Sequence, residues 1–146
     1  EEMYQVCVRE FPGADLAVMS AAVADYTPVE TAREKIKKSS DSLVIELTRT
    51  KDILKSLGEM KRKGQLLVGF ALETTNEREY ALSKLQSKNA DMVVLNSLND
   101  KGAGFGVDTN KITIFEKNGA EIPYERKLKQ QVAKDIVDRI VMHLNS

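Results

Sequence analysis

Lys35-Ile36-Lys37-Lys38 puts three ammonium groups within four residues. Lysine is a compact point charge, and such a cluster on a polar segment can close over a polyphosphate and neutralise charge developing there. A lone basic tetrapeptide is more often a solvated charge run, and Ile36 is only weak support for a segment that also docks. Lys84 and Lys88 are spaced i, i+4, on one helix face. They can grip one anion together, or lie over apolar neighbours as such side chains commonly do. The run Ser20-Ala21-Ala22-Val23-Ala24-Asp25-Tyr26-Thr27-Pro28 follows an apolar stretch. Small residues there let a ligand approach the backbone, and Asp25 adds a carboxylate. The plainer reading packs the alanines under a helix and leaves Asp25 to cap a turn. Gly69-Phe70-Ala71-Leu72-Glu73-Thr74 offers a ring that can stack on a base, or serve simply as core. Thr74 and Glu77 then have the spacing of a capping box, whose helix would leave free amides for an anion.

Other chemistries are poorly supplied. His143 is the single histidine and Cys7 the single cysteine. A Ser-His-Asp triad, a histidine metal cluster, a CxxC zinc site and an internal disulfide are therefore not expected, and a reducing cytoplasm fits the cysteine usage. Gly102-Ala103-Gly104-Phe105-Gly106 has the wrong spacing for a dinucleotide fingerprint and opens no helix, and there is no Walker A motif.

The elements that must position these residues follow from periodicity and punctuation. Met3, Cys7 and Phe11 recur at helical spacing before Pro12-Gly13. Leu16 to Ala22 reads as a buried strand. Asp25 to Ser42 reads as a long surface loop, of the kind often used as a lid. Leu43, Ile45 and Leu47 alternate as a strand would. Thr50 is placed to cap a helix over residues 51–63, closed by Gly64. Leu66–Phe70 and Met92–Leu95 read as further buried strands, with a helix from Thr74 to about residue 89 between them. After a Gly/Asp/Asn-rich loop at Asn99–Asn110, Ile112 and Ile114 lead into an Asn118-Gly119 hairpin turn towards Glu121–Pro123. Leu128 to Leu144 has the pattern of a long amphipathic helix.

This order predicts one α/β domain: a three-layer, Rossmann-like sandwich with a mostly parallel sheet and an antiparallel C-terminal hairpin. Ligands in such sheets bind beyond the carboxyl ends of the strands, here after Ala22, Phe70 and Leu95. The chain's 146 residues are enough for such a domain. Its 42% hydrophobic and 30% charged composition is that of an ordinary globular protein. Lys+Arg and Asp+Glu number 22 each, so no global field favours nucleic acid or membranes. The apolar stretch Ala14–Tyr26 is too short and too interrupted to span a bilayer.

Taken together, the motifs resemble the phosphopantothenate–cysteine ligase family, the synthetase half of the bacterial bifunctional coenzyme A biosynthesis protein. The resemblance rests on Ala21-Ala22-Val23-Ala24-Asp25-Tyr26 with Pro28, Lys35–Lys38, Thr50-Lys51-Asp52-Ile53-Leu54, Val68–Thr74, Lys84 with Lys88, Asp91-Met92-Val93-Val94-Leu95-Asn96, and Gly104-Phe105 with Asp108 and Asn110. It spans essentially the whole chain. It implies a CTP-dependent condensation of 4′-phosphopantothenate with cysteine through an acyl-cytidylate, assisted by Mg²⁺, in a cytoplasmic homodimer. It assigns Lys35 to activation and to the nucleotide phosphates, with Lys37 and Lys38 on the same flap. It gives CTP binding to Met19, Ser20, Ala21, Asp25, Lys51, Asp52, Ile53, Leu54, Phe70, Lys84 and Lys88. The family pattern normally includes a Gly-rich strand–loop–helix and an asparagine for the acyl intermediate, both before Glu1. The resemblance therefore implies a C-terminal fragment of the synthetase that binds CTP without completing the ligation unaided. FMN would belong only to a decarboxylase domain absent here. The competing readings are a nucleotide-binding half-domain without activity of its own and a Rossmann-like oxidoreductase domain.

Overall fold

A helix at the amino end, α1 (Glu2–Glu10), runs into a single 3-10 turn, Phe11–Gly13, where Pro12 stops it. The computed structural model describes residues 1–32, 34–36, 42–97 and 106–145. The elements that follow are β1 (Leu16–Met19), β2 (Tyr26–Pro28), β3 (Leu47–Arg49), α2 (Ile53–Met60), β4 (Leu66–Glu73), α3 (Glu77–Ser87), β5 (Met92–Ser97), β6 (Thr109–Asn110), β7 (Ile112–Glu116), β8 (Glu121–Pro123), β9 (Lys127–Leu128) and α4 (Lys129–Leu144).

Five strands form the central sheet in the order β1-β4-β5-β7-β8. β1, β4 and β5 are parallel, and β7 lies antiparallel between β5 and β8. The expected mostly parallel sheet with a C-terminal antiparallel hairpin is what forms. Gly119, at φ +91°, and the Asn118 side chain, which accepts from the Ala120 N–H at 2.9 Å, close that hairpin. β4 is the continuous apolar run a strand covered on both faces requires. On one face Leu66, Val68, Met92, Val94, Ile112 and Ile114 meet Val132, Ile136 and Ile140 of α4. On the other, Leu67 packs with Phe11, Ile53 and Leu57 under α1 and α2. Val93, Leu95 and Phe115 pack there with Ala81 and Leu85 of α3. Helices on both faces make the three layers.

Several local expectations are corrected. β1 stops at Met19, and residues 20–25 are exposed rather than a buried continuation to Ala22. The segment after Asp25 contains β2, which pairs antiparallel with β3, and the strand expected from Leu43 is confined to Leu47–Arg49. Asp52, not Thr50, caps α2, its Oδ1 accepting from the Lys55 N–H at 2.9 Å. Thr50 instead donates its hydroxyl to the Ala24 carbonyl at 2.7 Å. The helix α3 starts after Asn76, which sits at φ 47° and makes no capping side-chain bond, so the Thr74–Glu77 capping box does not form. Glu77 accepts instead from the Ser97 hydroxyl at 2.5 Å.

The sheet's far end is fastened by buried charge. Glu116 closes β7 with its side chain fully buried. Arg139 of α4 donates to it from Nε and Nη2, Asn118 donates at 3.1 Å, and His143 Nε2 lies 3.1 Å away. The Arg139 hydrogen bonds outweigh burial and, with His143, hold the Glu116 carboxyl at about 2, against its ordinary 4.5. A folded-state value below the unfolded one stabilises the fold above about pH 4.5, and that stabilisation is lost as pH falls towards 2. Removing one partner of a buried pair costs roughly 3–5 kcal/mol. Glu116→Gln should therefore lower the melting temperature at pH 7 by several degrees and flatten the acid limb of the stability curve between pH 4.5 and 2. Thermal melts of both proteins across that range check this, and an unchanged acid limb would count against the latch.

Candidate functional site

β4 runs on past the end of β1. The paired stretch finishes at Met19 beside Gly69, while β4 continues to Glu73 alongside β5 to Ser97. The step opens a cleft of about 1010 Å³ over the carboxyl ends of these strands, where ligands of open α/β sheets bind. Met19, Ser20, Ala21 and Asp25 line one wall, Lys51, Asp52, Ile53 and Leu54 a second, and Phe70, Lys84 and Lys88 a third. Segments up to 69 residues apart in the chain are thus brought to one place. Lys35 is exposed on the segment after β2 and does not line the cleft. Lys37 and Lys38 lie outside the described residues, as do Gly104 and Phe105.

Each wall is held by bonds that the local sequence explains. Thr50 ties the base of the β2–β3 ribbon to the first wall, its N–H donating to the Asp25 carbonyl at 2.9 Å. Leu54 packs so closely over Gly69 that a Cβ there would meet Leu54 Cδ2 at 2.7 Å. Lys84 donates to the Phe70 carbonyl at 2.8 Å, and Phe70 packs partly into the core beneath α4. Lys88 Nζ donates to Asp52 Oδ2 at 2.6 Å. Lys51 donates to Glu1 at 2.7 Å and sits 4.6 Å from the Tyr4 ring centre. Burial pushes the Asp52 carboxyl up, but the bonds from Lys88 and the Lys55 N–H prevail and hold it below its usual value.

Sequence reasoning passed over two lining residues, Arg49 and Lys55, and quoted two others, Glu73 and Asn96, only within motifs and without a role of their own. With them the cleft carries five cationic side chains, Arg49, Lys51, Lys55, Lys84 and Lys88, against Asp25, Asp52 and Glu73. A chain of zero net charge thus gathers an excess of positive charge in one concavity, which suits a polyanion. Asn96 is the penultimate residue of β5, at a strand end already marked as a ligand position. Its Oδ1 is buried and accepts no hydrogen bond among the described residues, an acceptor open to a ligand O–H or N–H. The same described residues contain no group of three or more His, Cys, Asp or Glu placed to hold a metal ion.

The second and third walls meet where α2 crosses the end of α3. A Cβ on Gly58 would lie 1.8 Å from the Lys88 carbonyl oxygen, and Asn89 donates from Nδ2 to the Gly58 carbonyl at 2.8 Å. Gly58→Ala should force α2 away from α3, cost roughly 1–3 kcal/mol and separate Asp52 from Lys88. A thermal melt and an NMR spectrum of the variant check this; an unshifted melting temperature would show that the crossing yields easily.

Residues 1–144 match the family described as the DNA/pantothenate metabolism flavoprotein C-terminal domain. A cysteine/cysteine sulfinic acid decarboxylase from an unknown prokaryotic organism is 52% identical over 140 residues, covering 96% of this chain and 39% of the relative. The coenzyme A biosynthesis bifunctional protein CoaBC of Bacillus subtilis (strain 168) is 46% identical over 129 residues, covering 87% of this chain and 32% of that protein. Among solved structures, the C-terminal domain of a coenzyme A biosynthesis bifunctional protein CoaBC superposes with a TM-score of 0.79 at 40% identity, covering 99% of this chain and 62% of that one. The chain thus spans 32% to 39% of the length of these curated relatives.

Proposed function

The chain belongs to the DNA/pantothenate metabolism flavoprotein C-terminal domain family, and from that premise we propose that it works as a CTP-dependent phosphopantothenate–cysteine ligase domain in coenzyme A biosynthesis. The observation that carries this reading is the cation-rich cleft over β1, β4 and β5, lined by eleven of the twelve CTP-binding residues that the family resemblance nominates.

In this reaction the pantothenate carboxylate attacks the α-phosphate of CTP, giving an acyl-cytidylate and pyrophosphate. The cysteine amine then attacks the acyl carbon and displaces CMP, losing a proton as the amide forms. The protein's task is to neutralise the triphosphate, align the two reactants and keep water from the acyl-phosphate. Lys84 and Lys88 are assigned to the phosphates, Phe70 to the base, Asp25 and the Met19–Ala21 backbone to the nucleotide, and Lys51–Leu54 to the opposite wall. Lys35 is exposed and has no hydrogen-bond or ion-pair partner among the described residues, which suits a group that reaches the phosphates only when its segment closes.

Asp25 and Glu73 are the cleft carboxylates outside the Asp52–Lys88 pair. That donor set fits a Mg²⁺ carried mainly by the nucleotide's own phosphates and by water, with one or two carboxylates at most. The ion would offset phosphate charge as pyrophosphate leaves. FMN, and the decarboxylase activity named for the first relative, are assigned to portions of such proteins outside this chain. The exposed aliphatics Leu43, Val44, Ile45 and Leu47 beside the β2–β3 ribbon favour the homodimer. No helix among the described residues is long and apolar enough to cross a membrane, in keeping with a cytoplasmic enzyme.

Calorimetry with CTP and with a nicotinamide dinucleotide separates the ligase from the oxidoreductase reading: CTP should bind and the dinucleotide should not. In a full-length ligase carrying this domain, Lys35→Gln should abolish pyrophosphate release from CTP in the presence of phosphopantothenate while leaving the melting temperature unchanged. Full turnover by that variant would remove Lys35 from the activation step.

A further inference from the structure

Asp52 and Lys88 line the same cleft and are bonded to each other. The pair is held from both sides by rigid backbone. Asp52 is the N-cap of α2: its Oδ1 accepts from the Lys55 N–H at 2.9 Å and its carbonyl from the Ser56 N–H at 3.0 Å. Lys88 is the C-cap of α3, its own N–H bonded to the Lys84 carbonyl at 3.0 Å. The crossing at Gly58 and Asn89 locks these two helix ends together. The side chains are less confined, with 44% of Asp52 and 24% of Lys88 open to solvent.

A polyphosphate entering this cleft meets an ammonium that already has an anion 2.6 Å away. A phosphate oxygen cannot share that ammonium with the carboxylate at short range without strong repulsion between the two anions. The cap itself uses the other carboxylate oxygen, so Oδ2 can turn away while α2 keeps its start.

We propose that Asp52 is a positioning residue that holds Lys88 at the cleft when no ligand is bound and yields it to the polyphosphate, so that nucleotide and pyrophosphate each replace one anion by another on the same ammonium. The proposal rests on the CTP-ligase reading and deepens it. It reverses the role the family resemblance gives Asp52: the carboxylate competes with the phosphates for Lys88 rather than holding the nucleotide. Its service to the reaction is to weaken the grip on pyrophosphate once the acyl-cytidylate has formed, because a replacement anion waits beside Lys88.

The test uses inorganic pyrophosphate and CTP, titrated calorimetrically into the chain. Asp52→Asn keeps a good N-cap acceptor and removes only the charge. For a partly exposed pair the expected gain is roughly two- to fivefold tighter pyrophosphate binding, absent when Lys88→Gln is the background. Binding that is unchanged or weaker in Asp52→Asn overturns the exchange. So does a gain of equal size in the Lys88→Gln background, which would report only the general field of the cleft. Should Asp52→Asn not fold, NMR of the Asp52 carboxyl carbon in the unmutated chain decides: its titration must move to higher pH when pyrophosphate is bound, and a titration that stays put overturns the proposal. If the unmutated chain binds pyrophosphate and CTP but the exchange fails, the ligase reading stands alone; if it binds neither, both fall.

Discussion

The difference in length between two neighbouring strands makes the site. β1 ends at Met19, while β4 runs on from Gly69 to Glu73. Beyond that point β4 has no strand on its β1 side, and its backbone groups there need other partners. The Phe70 carbonyl, first past the paired stretch, is taken by Lys84. The Ser20–Asp25 run leaves the sheet at the same level and forms the opposite wall. Had β1 continued to Ala22, as its apolar composition suggests, it would have filled the space in which a ligand can lie.

Around that step the charges of a neutral chain are sorted. Five cations gather in the cleft, but four of them already have partners: Lys51 has Glu1, Lys55 has Glu59 at 3.8 Å, Lys84 has a backbone carbonyl and Lys88 has Asp52. A cleft of unpaired ammonium groups would repel itself and destabilise the fold. Internal partners relieve that cost and keep each ammonium within reach of the cleft. Binding a polyphosphate there is then largely an exchange of partners, with little gained from each lysine alone.

Much of this was legible in the sequence. The long apolar runs of β4 and β5, the amphipathic α4 and the hairpin at Asn118-Gly119 announce the α/β sheet, because burial on two faces and a left-handed glycine leave strong local signatures. The order of Ala21–Asp25, Lys51–Leu54, Phe70, Lys84 and Lys88 pointed to one site, and the fold brings those residues to one cleft. What was not legible depended on tertiary choices between near-equivalent local partners. Thr50 and Asp52 are both good caps; the ribbon claims Thr50 for Ala24, and the cap falls to Asp52. Thr74 and Glu77 match a capping box, but the Ser97 hydroxyl at the end of β5 engages Glu77. The length of β1 could not be read because Ala21, Ala22 and Val23 suit a strand as well as a wall. Arg49 and Lys55 joined the cleft only through the ribbon and the first turn of α2, which no spacing rule announced.

The two ends of the sheet use ion pairs in opposite ways. At the amino ends of β4 and β5, Asp91 accepts from Lys61 at 2.6 Å and from the Leu67 N–H at 2.8 Å, with 8% of the Lys61 side chain exposed. At the matching end of β7, Glu116 is enclosed by Arg139, Asn118 and His143. Glu116 is fully buried and Asp91 largely so, both are multiply bonded, and losing one partner leaves a charge with little water to replace it. At the carboxyl ends, Asp52 and Lys88 are open enough that water or a phosphate can replace either partner at small cost. The same pair of residue types thus serves as a permanent fastening where solvent is excluded and as an exchangeable contact where it is admitted. Burial, set by which strand ends the helices cover, decides between the two.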